Sequence, residues 1–372
     1  LIDSFTMSNE RFVNNEYHAK FDVNFNKKNT LKFFESKNIF PSIPKKKSLL
    51  LHGFNFSSNS DTEVILAAYA HWGSSCLDRF RGMFSFAIFD KFPKNGQPSL
   101  FCARDRLGIK PFLYADLGNI FVFGSQLNSI LASNLVKSKI NESVVNEYFM
   151  YGSISQPNTI INDIKHLPAG NFIEIYNDGK MKIKSYWDLE KNTIELRQKL
   201  KNITELKAIE ELRLKLNEAT QLSLVSDVSV GAFLSGGIDS TAVVGLMNSQ
   251  VNNKIKTYSI GFENIFSEID ERKFAKIAAD FFETEHYDEV FDVNQSEQIF
   301  DEIINDIDQP SIDGTNTWIV SRLASKKSKV VLSGIGGDEL FGGYPHFFSF
   351  SKNKFNFFNF FKFIRPLINK IH

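Results

Sequence analysis

The chain has 372 residues, and its 43 Lys and Arg balance its 43 Asp and Glu, so the formal net charge is zero. That length allows two domains with separate cores, and the balanced charge offers no electrostatic footprint for a polyanion such as nucleic acid. No run of about 18 apolar residues occurs, so no membrane span is expected, and no secretory signal is visible.

The chain opens on Leu1 rather than Met, which points to a fragment. Lys45, Lys46 and Lys47, between Pro44 and Ser48, have the character of a solvated loop. Ser60-Asp61-Thr62-Glu63 has capping-box spacing, and Val64, Ala67, Ala68 and Trp72 follow on one face of a helix. Between 81 and 124 four short apolar runs follow one another, at 83–89, 100–103, 112–114 and 120–123. Pro93, Asn95-Gly96, Gly108 and Gly118-Asn119 separate them, a spacing that favours hairpins and an antiparallel sheet. Arg104, Asp105 and Arg106 cluster after a buried strand and are expected to fix the turn there through ion pairs. Cys76 and Cys102 make no disulfide framework; they fit inert core thiols in a reducing cytoplasm.

Residues 185–206 are polar and charged, a linker into a helix on which Ile209, Leu212, Leu216, Ala219 and Ser223 recur at helical spacing. Strand 228–234, helix 241–247, strand 255–261, helix 270–282, strand 286–291 and strand 330–332 are then predicted. Alternation of this kind implies right-handed crossovers and a parallel sheet. The Phe-rich run 347–363 has the character of a core helix pair, and the 38 phenylalanines a bias of the source composition.

The chemistry lies in two loops. Ser235-Gly236-Gly237-Ile238-Asp239-Ser240 sits between an apolar strand and a helix start. Two glycines permit a tight turn and close approach to a ligand. The helix behind them offers unpaired N–H groups and the positive end of its dipole. Ser235 and Ser240 add hydroxyl donors, and Asp239 can hold a magnesium ion against phosphate oxygens. The bland alternative is a glycine turn into a capped helix. A second segment, Ser333-Gly334-Ile335-Gly336-Gly337-Asp338-Glu339, follows another apolar run. Two such strand ends suit the carboxyl edge of a parallel sheet, where ligands bind, and together they point to ATP chemistry.

The chain resembles the glutamine-dependent asparagine synthetases. The resemblance rests, in order, on Ser60-Asp61-Thr62-Glu63-Val64, Arg81-Gly82-Met83-Phe84-Ser85-Phe86-Ala87, and Ala103-Arg104-Asp105-Arg106-Leu107-Gly108-Ile109-Lys110-Pro111. It continues through Leu167-Pro168-Ala169-Gly170, Gly231-Ala232-Phe233-Leu234 with the Ser235 loop, and the stretch from Leu332 to Gly343-Tyr344-Pro345. It implies an α+β N-terminal-nucleophile-hydrolase-like glutaminase domain over 1–188, lacking its N-terminus. An α/β doubly wound ATP-pyrophosphatase domain over 205–372, lacking its C-terminus, follows. The implied reaction adenylates the side-chain carboxylate of aspartate with ATP and releases pyrophosphate. Ammonia freed from glutamine and passed through an internal tunnel then gives asparagine. By resemblance Ser235, Gly236, Gly237 and Ser240 cradle pyrophosphate, with Ser333 beside them, and Asp239 and Asp338 hold Mg²⁺. Leu234, Ile260 and Gly334 line the adenosine pocket, with ordinary core packing the alternative for Leu234 and Ile260. Asp61 matches the residue that binds the α-amino group of glutamine, although the capping box explains it equally well. A homodimer is implied by the family alone.

The match also fails in places. The family's first-position cysteine nucleophile is absent, so glutaminase activity is not expected of the chain as written. The family's Asn-Gly-Glu oxyanion segment is at best echoed by Asn14-Asn15-Glu16, and a Pro-flanked insertion follows at 40–48. Ile335 stands where some relatives carry an acid. Asp308, Gln309, Pro310 and Asp313 fall where the family has a loop near the acceptor site. Two alternatives stay open: a related ligase that amidates a sugar, peptide or β-lactam precursor, and a non-catalytic nucleotide-binding protein.

Overall fold

The structure is a computed structural model. It describes residues 46–344 apart from 59, 92, 95, 263–269 and 292–295, together with Phe347 and the backbone of Ser4–Met7, Asp22–Asn24, Thr30–Glu35 and Pro41–Ser42. Asn14, Asn15, Glu16, Lys45, Asn95 and nearly all of the Phe-rich run lie outside the described residues. The chain forms two compact units, Leu1–Glu211 with Glu297–Thr317, and Leu212–Ser296 with Trp318–His372.

In chain order the elements are β1 (Ser4–Met7), β2 (Asp22–Asn24), β3 (Thr30–Glu35), β4 (Pro41–Ser42), α1 (Lys46–Leu51) and α2 (Asp61–Trp72), with a 3-10 segment at Gly73–Arg79. Then come β5 (Arg81–Gly82), β6 (Ser85–Asp90), β7 (Leu100–Arg104), β8 (Leu113–Asp116), β9 (Phe121–Gly124), α3 (Leu127–Leu131), α4 (Glu142–Tyr151), β10 (Lys165–His166), β11 (Asn171–Ile175) and β12 (Met181–Ser185). The chain continues with α5 (Leu189–Lys199), α6 (Glu205–Ser223), β13 (Val230–Phe233), α7 (Ile238–Asn248), β14 (Lys256–Phe262), α8 (Arg272–Phe281) and β15 (Glu285–Phe291). Last are α9 (Ser296–Asp306), α10 (Gly314–Ser325), β16 (Val330–Leu332) and α11 (Gly337–Phe341).

The antiparallel strands form two main sheets, not the one expected. One runs β12-β11-β7-β6-β3-β2 and the other β1-β9-β8-β10. Side chains alternate between faces along a strand, and here both faces are buried. Phe101 and Ala103 of β7 join Phe86, Ile88 and Phe172 in a core under α2, while Leu100 and Cys102 turn the other way. There they meet Tyr114, Phe121 and Phe123 of the second sheet, so the two sheets share one apolar layer. Leu113, Ala115 and Val122 face outward onto α3. Cys76 and Cys102 are both fully buried, and burial pushes both thiols up, with Asp78 adding to the effect on Cys76.

The passage from β7 in one sheet to β8 in the other runs through the Arg104 to Pro111 turn, and two buried charges fasten it. They act through the backbone rather than through the expected ion pairs. Arg104 donates to the carbonyls of Lys110 (2.8 Å), Leu167 (2.7 Å) and Gly108 (2.6 Å) and to Gln156 Oε1 (2.8 Å). Asp105 accepts from the N–H groups of Phe84, Leu107, Ile109 and Lys110. A planar guanidinium and a carboxylate suit converging carbonyls and amides, because charge-assisted bonds are the strong ones.

Two other expectations change. Residues 46–51 are helical, anchored by Leu49, which is buried, rather than loop. Part of the 185–206 linker is α5, whose Asp188 cap accepts from Lys191 N–H and which buries no side chain. Among the described residues no helix is long and apolar enough to cross a membrane.

Asp105→Ala would leave four backbone amides, one buried and three partly buried, without their acceptor beside a buried guanidinium. We expect it to lower the unfolding free energy by about 3 kcal/mol or more in denaturant titration. Burial, and then the Arg104 charge, pull His166 down to about 4 from 6.5. Unfolding therefore takes up a proton below about pH 6.5, and this contribution to stability is lost as pH falls towards 4. His166→Gln should flatten that part of the stability–pH curve; an unchanged slope would refute the assignment.

Candidate functional site

The second unit carries a parallel sheet in the order β15-β14-β13-β16. From β13 the chain steps to β14 and β15 on one side and reaches β16 on the other. The strand order therefore reverses between β13 and β16, and crevices form at such switch points beyond the carboxyl ends of the strands. Val230, Gly231 and Ala232 pair with Val330, Val331 and Leu332. Both glycine loops consequently leave the sheet side by side, at the same edge.

The first loop is shaped from within. Leu234 is 1% exposed, sits in the core with Val244 and Ala275, and donates its N–H to Tyr258 O at 2.9 Å. Its side chain thus packs in the core. Gly236 has φ +84°, a left-handed conformation that favours glycine. A Cβ there would lie 2.5 Å from Ala275 N, so the loop rests directly on the backbone of α8. Ser240 Oγ accepts from Ser235 N–H (3.2 Å) and lies 3.0 Å from Ser235 Oγ. Helix α7 begins at Ile238 with Gly237 as its cap and no capping side chain, which leaves its positive end at the loop.

The second loop closes against the first. A Cβ on Gly334 would lie 2.8 Å from Ser240 N and 3.1 Å from Asp239 Cβ. One on Gly337 would collide with the Asp239 carboxylate, and one on Gly343 with that of Asp338. Absent side chains thus let the Asp239 carboxylate lie against the backbone neighbour of Asp338. Ser333 Oγ accepts from Ile335 N–H at 3.2 Å, and Ile335 is 78% exposed. Ile260, half-buried on β14, lies two residues beyond the Phe233–Tyr258 pair. Among the described residues no group of three acids, histidines or cysteines forms a complete metal cage.

In the first unit Ser60 caps α2 by accepting from Thr62 N–H at 3.2 Å, with Asp61 in the first helical turn. The capping box is not closed as its spacing implied. Glu63 reaches past Ser60 to the N–H and hydroxyl groups of Ser57 and Ser58. Burial pushes its carboxyl up, but these four donors together hold it below the usual range.

The Asp308 loop belongs to the first unit. There Asp308 accepts from Leu127 N–H (2.6 Å) and Asn128 N–H (3.1 Å) at the start of α3. Burial raises its carboxyl, while the two amides pull the other way. Gln309 Oε1 accepts from Ile160 N–H at 3.0 Å, and Ile312 donates to Gly152 O at 2.9 Å. Motif reading also passed over Arg272, at the start of α8 beside the first loop. Its signal was only an Asp270-x-Arg272 pair at a helix start.

The two halves each match a known family. The glutamine amidotransferase domain family covers residues 38–187, and the asparagine synthase family covers residues 211–370. The chain therefore joins a glutamine amidotransferase domain to an asparagine synthase domain. It belongs to the glutamine-dependent asparagine synthetase family. An inferred glutamine-hydrolyzing asparagine synthetase 2 of Methanocaldococcus jannaschii is 41% identical over 295 residues, covering 77% of this chain and 54% of that protein. Asparagine synthetase 3 of Bacillus subtilis, glutamine-hydrolyzing, is 33% identical over 321 residues, covering 81% of this chain and 50% of that protein. An amidase of Gibberella zeae, chry2, is 28% identical over 320 residues, covering 81% of this chain and 46% of that protein. The chain spans about half the length of the curated relatives it matches.

Gly236→Ala forces a side chain into both a left-handed backbone and the α8 wall. We expect it to lower the stability of the second unit by about 2 kcal/mol or more, read by thermal unfolding.

Proposed function

We propose that this chain is the core of an ATP-dependent amidotransferase that adenylates the side-chain carboxylate of aspartate and converts it to the amide with ammonia from glutamine. The observation that carries the reading is the pair of glycine loops at adjacent parallel strand ends, with Asp239 pressed against Gly337. A carboxylate is a poor acyl donor because its leaving group is oxide or hydroxide. Attack of one carboxylate oxygen on the α-phosphorus of ATP expels pyrophosphate and leaves an acyl-adenylate. Ammonia then adds to the acyl carbon, AMP departs with the electron pair, and nitrogen sheds a proton.

Each loop residue has a part in this scheme. Ser235, Gly236, Gly237, Ser240 and the first turn of α7 present N–H and hydroxyl donors to the departing pyrophosphate. Gly334 and Ile260 border the adenosine, with Ser333 beside them. Asp239 and Asp338 are hard oxygen donors on touching loops. That fits Mg²⁺, which takes one or two carboxylates and completes its shell with phosphate oxygens and water. When bound, the ion neutralises charge on the leaving pyrophosphate. In the first unit Asp61 holds the α-amino group of glutamine.

A second reading has support of its own. Ile335 is an exposed apolar side chain on the second loop, where the family resemblance implies an acid in some members, and one relative is named an amidase rather than an asparagine synthetase. A ligase acting on another carboxylate fits both observations.

Pyrophosphate release with Mg·ATP, measured across a panel of carboxylates, separates these readings. Release that requires aspartate supports the first, and release only with other acids supports the second. Mg·ATP binding without turnover would favour a non-catalytic nucleotide-binding protein. Asp239→Ala should abolish release with glutamine or ammonia; undiminished release would sink the metal assignment.

A further inference from the structure

The seat of the first loop is the N-terminal turn of α8, and that turn is held by one side chain. Arg272 donates its backbone N–H (3.0 Å) and Nε (2.9 Å) to Asp270 Oδ1, and Nη2 to Asp270 Oδ2 at 2.6 Å. Nη1 lies 3.5 Å from Asp288 Oδ2 on β15. The same side chain lies across the bare Cα of Gly261 on β14, where any Cβ would collide with Nε. One guanidinium therefore touches the start of α8, the end of β14 and the middle of β15.

Among the described residues little else fixes this turn. The face that α8 turns to the core is built from Ala275, Ala278 and Ala279, while Phe274, Ile277 and Phe281 point outward and are exposed. An alanine face has no large knobs to lock it against sliding. A planar fork that engages two carboxylates at once supplies the missing restraint, and an ammonium cannot reproduce it. With both carboxylates engaged, the guanidinium is not a free phosphate ligand.

We propose that Arg272 is a positioning residue for the nucleotide loop. By pinning the first turn of α8 to β14 and β15 it fixes the wall on which Gly236 rests, and so the donors of residues 235–240. The proposal deepens the nucleotide-binding reading given above and rests on it.

The test compares Arg272→Gln, Arg272→Lys and Gly261→Ala with wild type, using calorimetric Mg·ATP binding and amide hydrogen exchange without nucleotide. Gly261→Ala keeps the arginine but denies it its seat. Lys276→Ala, which removes an exposed pair with Asp280 on the same helix, is the control. Arg272→Gln and Gly261→Ala should each weaken Mg·ATP binding by about tenfold or more. Exchange should quicken at 235–240 and 272–275 while β13 and β16 stay protected. Arg272→Lys should fall between, and Lys276→Ala should match wild type. Wild-type affinity in Arg272→Gln would overturn the proposal, as would exchange quickened evenly through the second unit, the mark of a merely structural role. A wild-type protein that binds no Mg·ATP would overturn the underlying nucleotide reading instead, and the exchange pattern would still decide whether Arg272 sets the loop.

Discussion

The pairing of β13 with β16 is the constraint on which the candidate site depends. These parallel strands are distant in sequence, and their register brings Ala232 opposite Leu332. Every later contact follows from it. Gly334 meets the backbone of Ser240, Gly337 meets the Asp239 carboxylate, and the two acids come to neighbouring loops. A one-residue slip would invert the faces of β16 and separate the loops. Glycines are required at 334 and 337 because the partner loop already occupies the space of a side chain.

The first unit solves a different problem by different means. Two sheets, each buried on both sides in its centre, must be joined by a chain that leaves one and enters the other. A turn in that position cannot rely on water for its polar groups. Arg104 and Asp105 satisfy the carbonyls and amides of the crossing from inside, and Tyr186 Oη donates to Arg104 O at 2.8 Å to close the group. Burial holds the Arg104 guanidinium below its ordinary value, with Asp105 acting against that.

The sequence was most legible where local pattern and tertiary role coincide. The four strands β13 to β16 and the helices α6 to α8 appear within a few residues of their expected places, because an apolar run between glycine turns has few other uses in a parallel sheet, whereas α10 and α11 carry no such signal and were not expected. The two Ser-Gly loops were readable for the same reason. What could not be read depends on distant partners. Period-two alternation from β6 to β9 marks strands but cannot say that β7 and β8 belong to different sheets. The spacing of Ser60 and Glu63 implied a reciprocal cap, but Ser57 and Ser58 offered Glu63 four better donors. Helix α5 buries no side chain, so it leaves no periodic signature to find. Arg272 and Asp308 are ordinary charged residues until the fold supplies their partners.

The Asp308 segment bears on how the polypeptide is made. The first unit is not contiguous: α3 receives its cap, and Ile160 and Gly152 their partners, from residues 308–312. On a ribosome releasing the chain from its N-terminus, the strands around Phe101 and Phe123 can assemble early. The start of α3 must wait until more than a hundred further residues have emerged. Folding of the amidotransferase half therefore finishes during synthesis of the synthase half, and a gene cut at 211 would encode a unit missing its last piece.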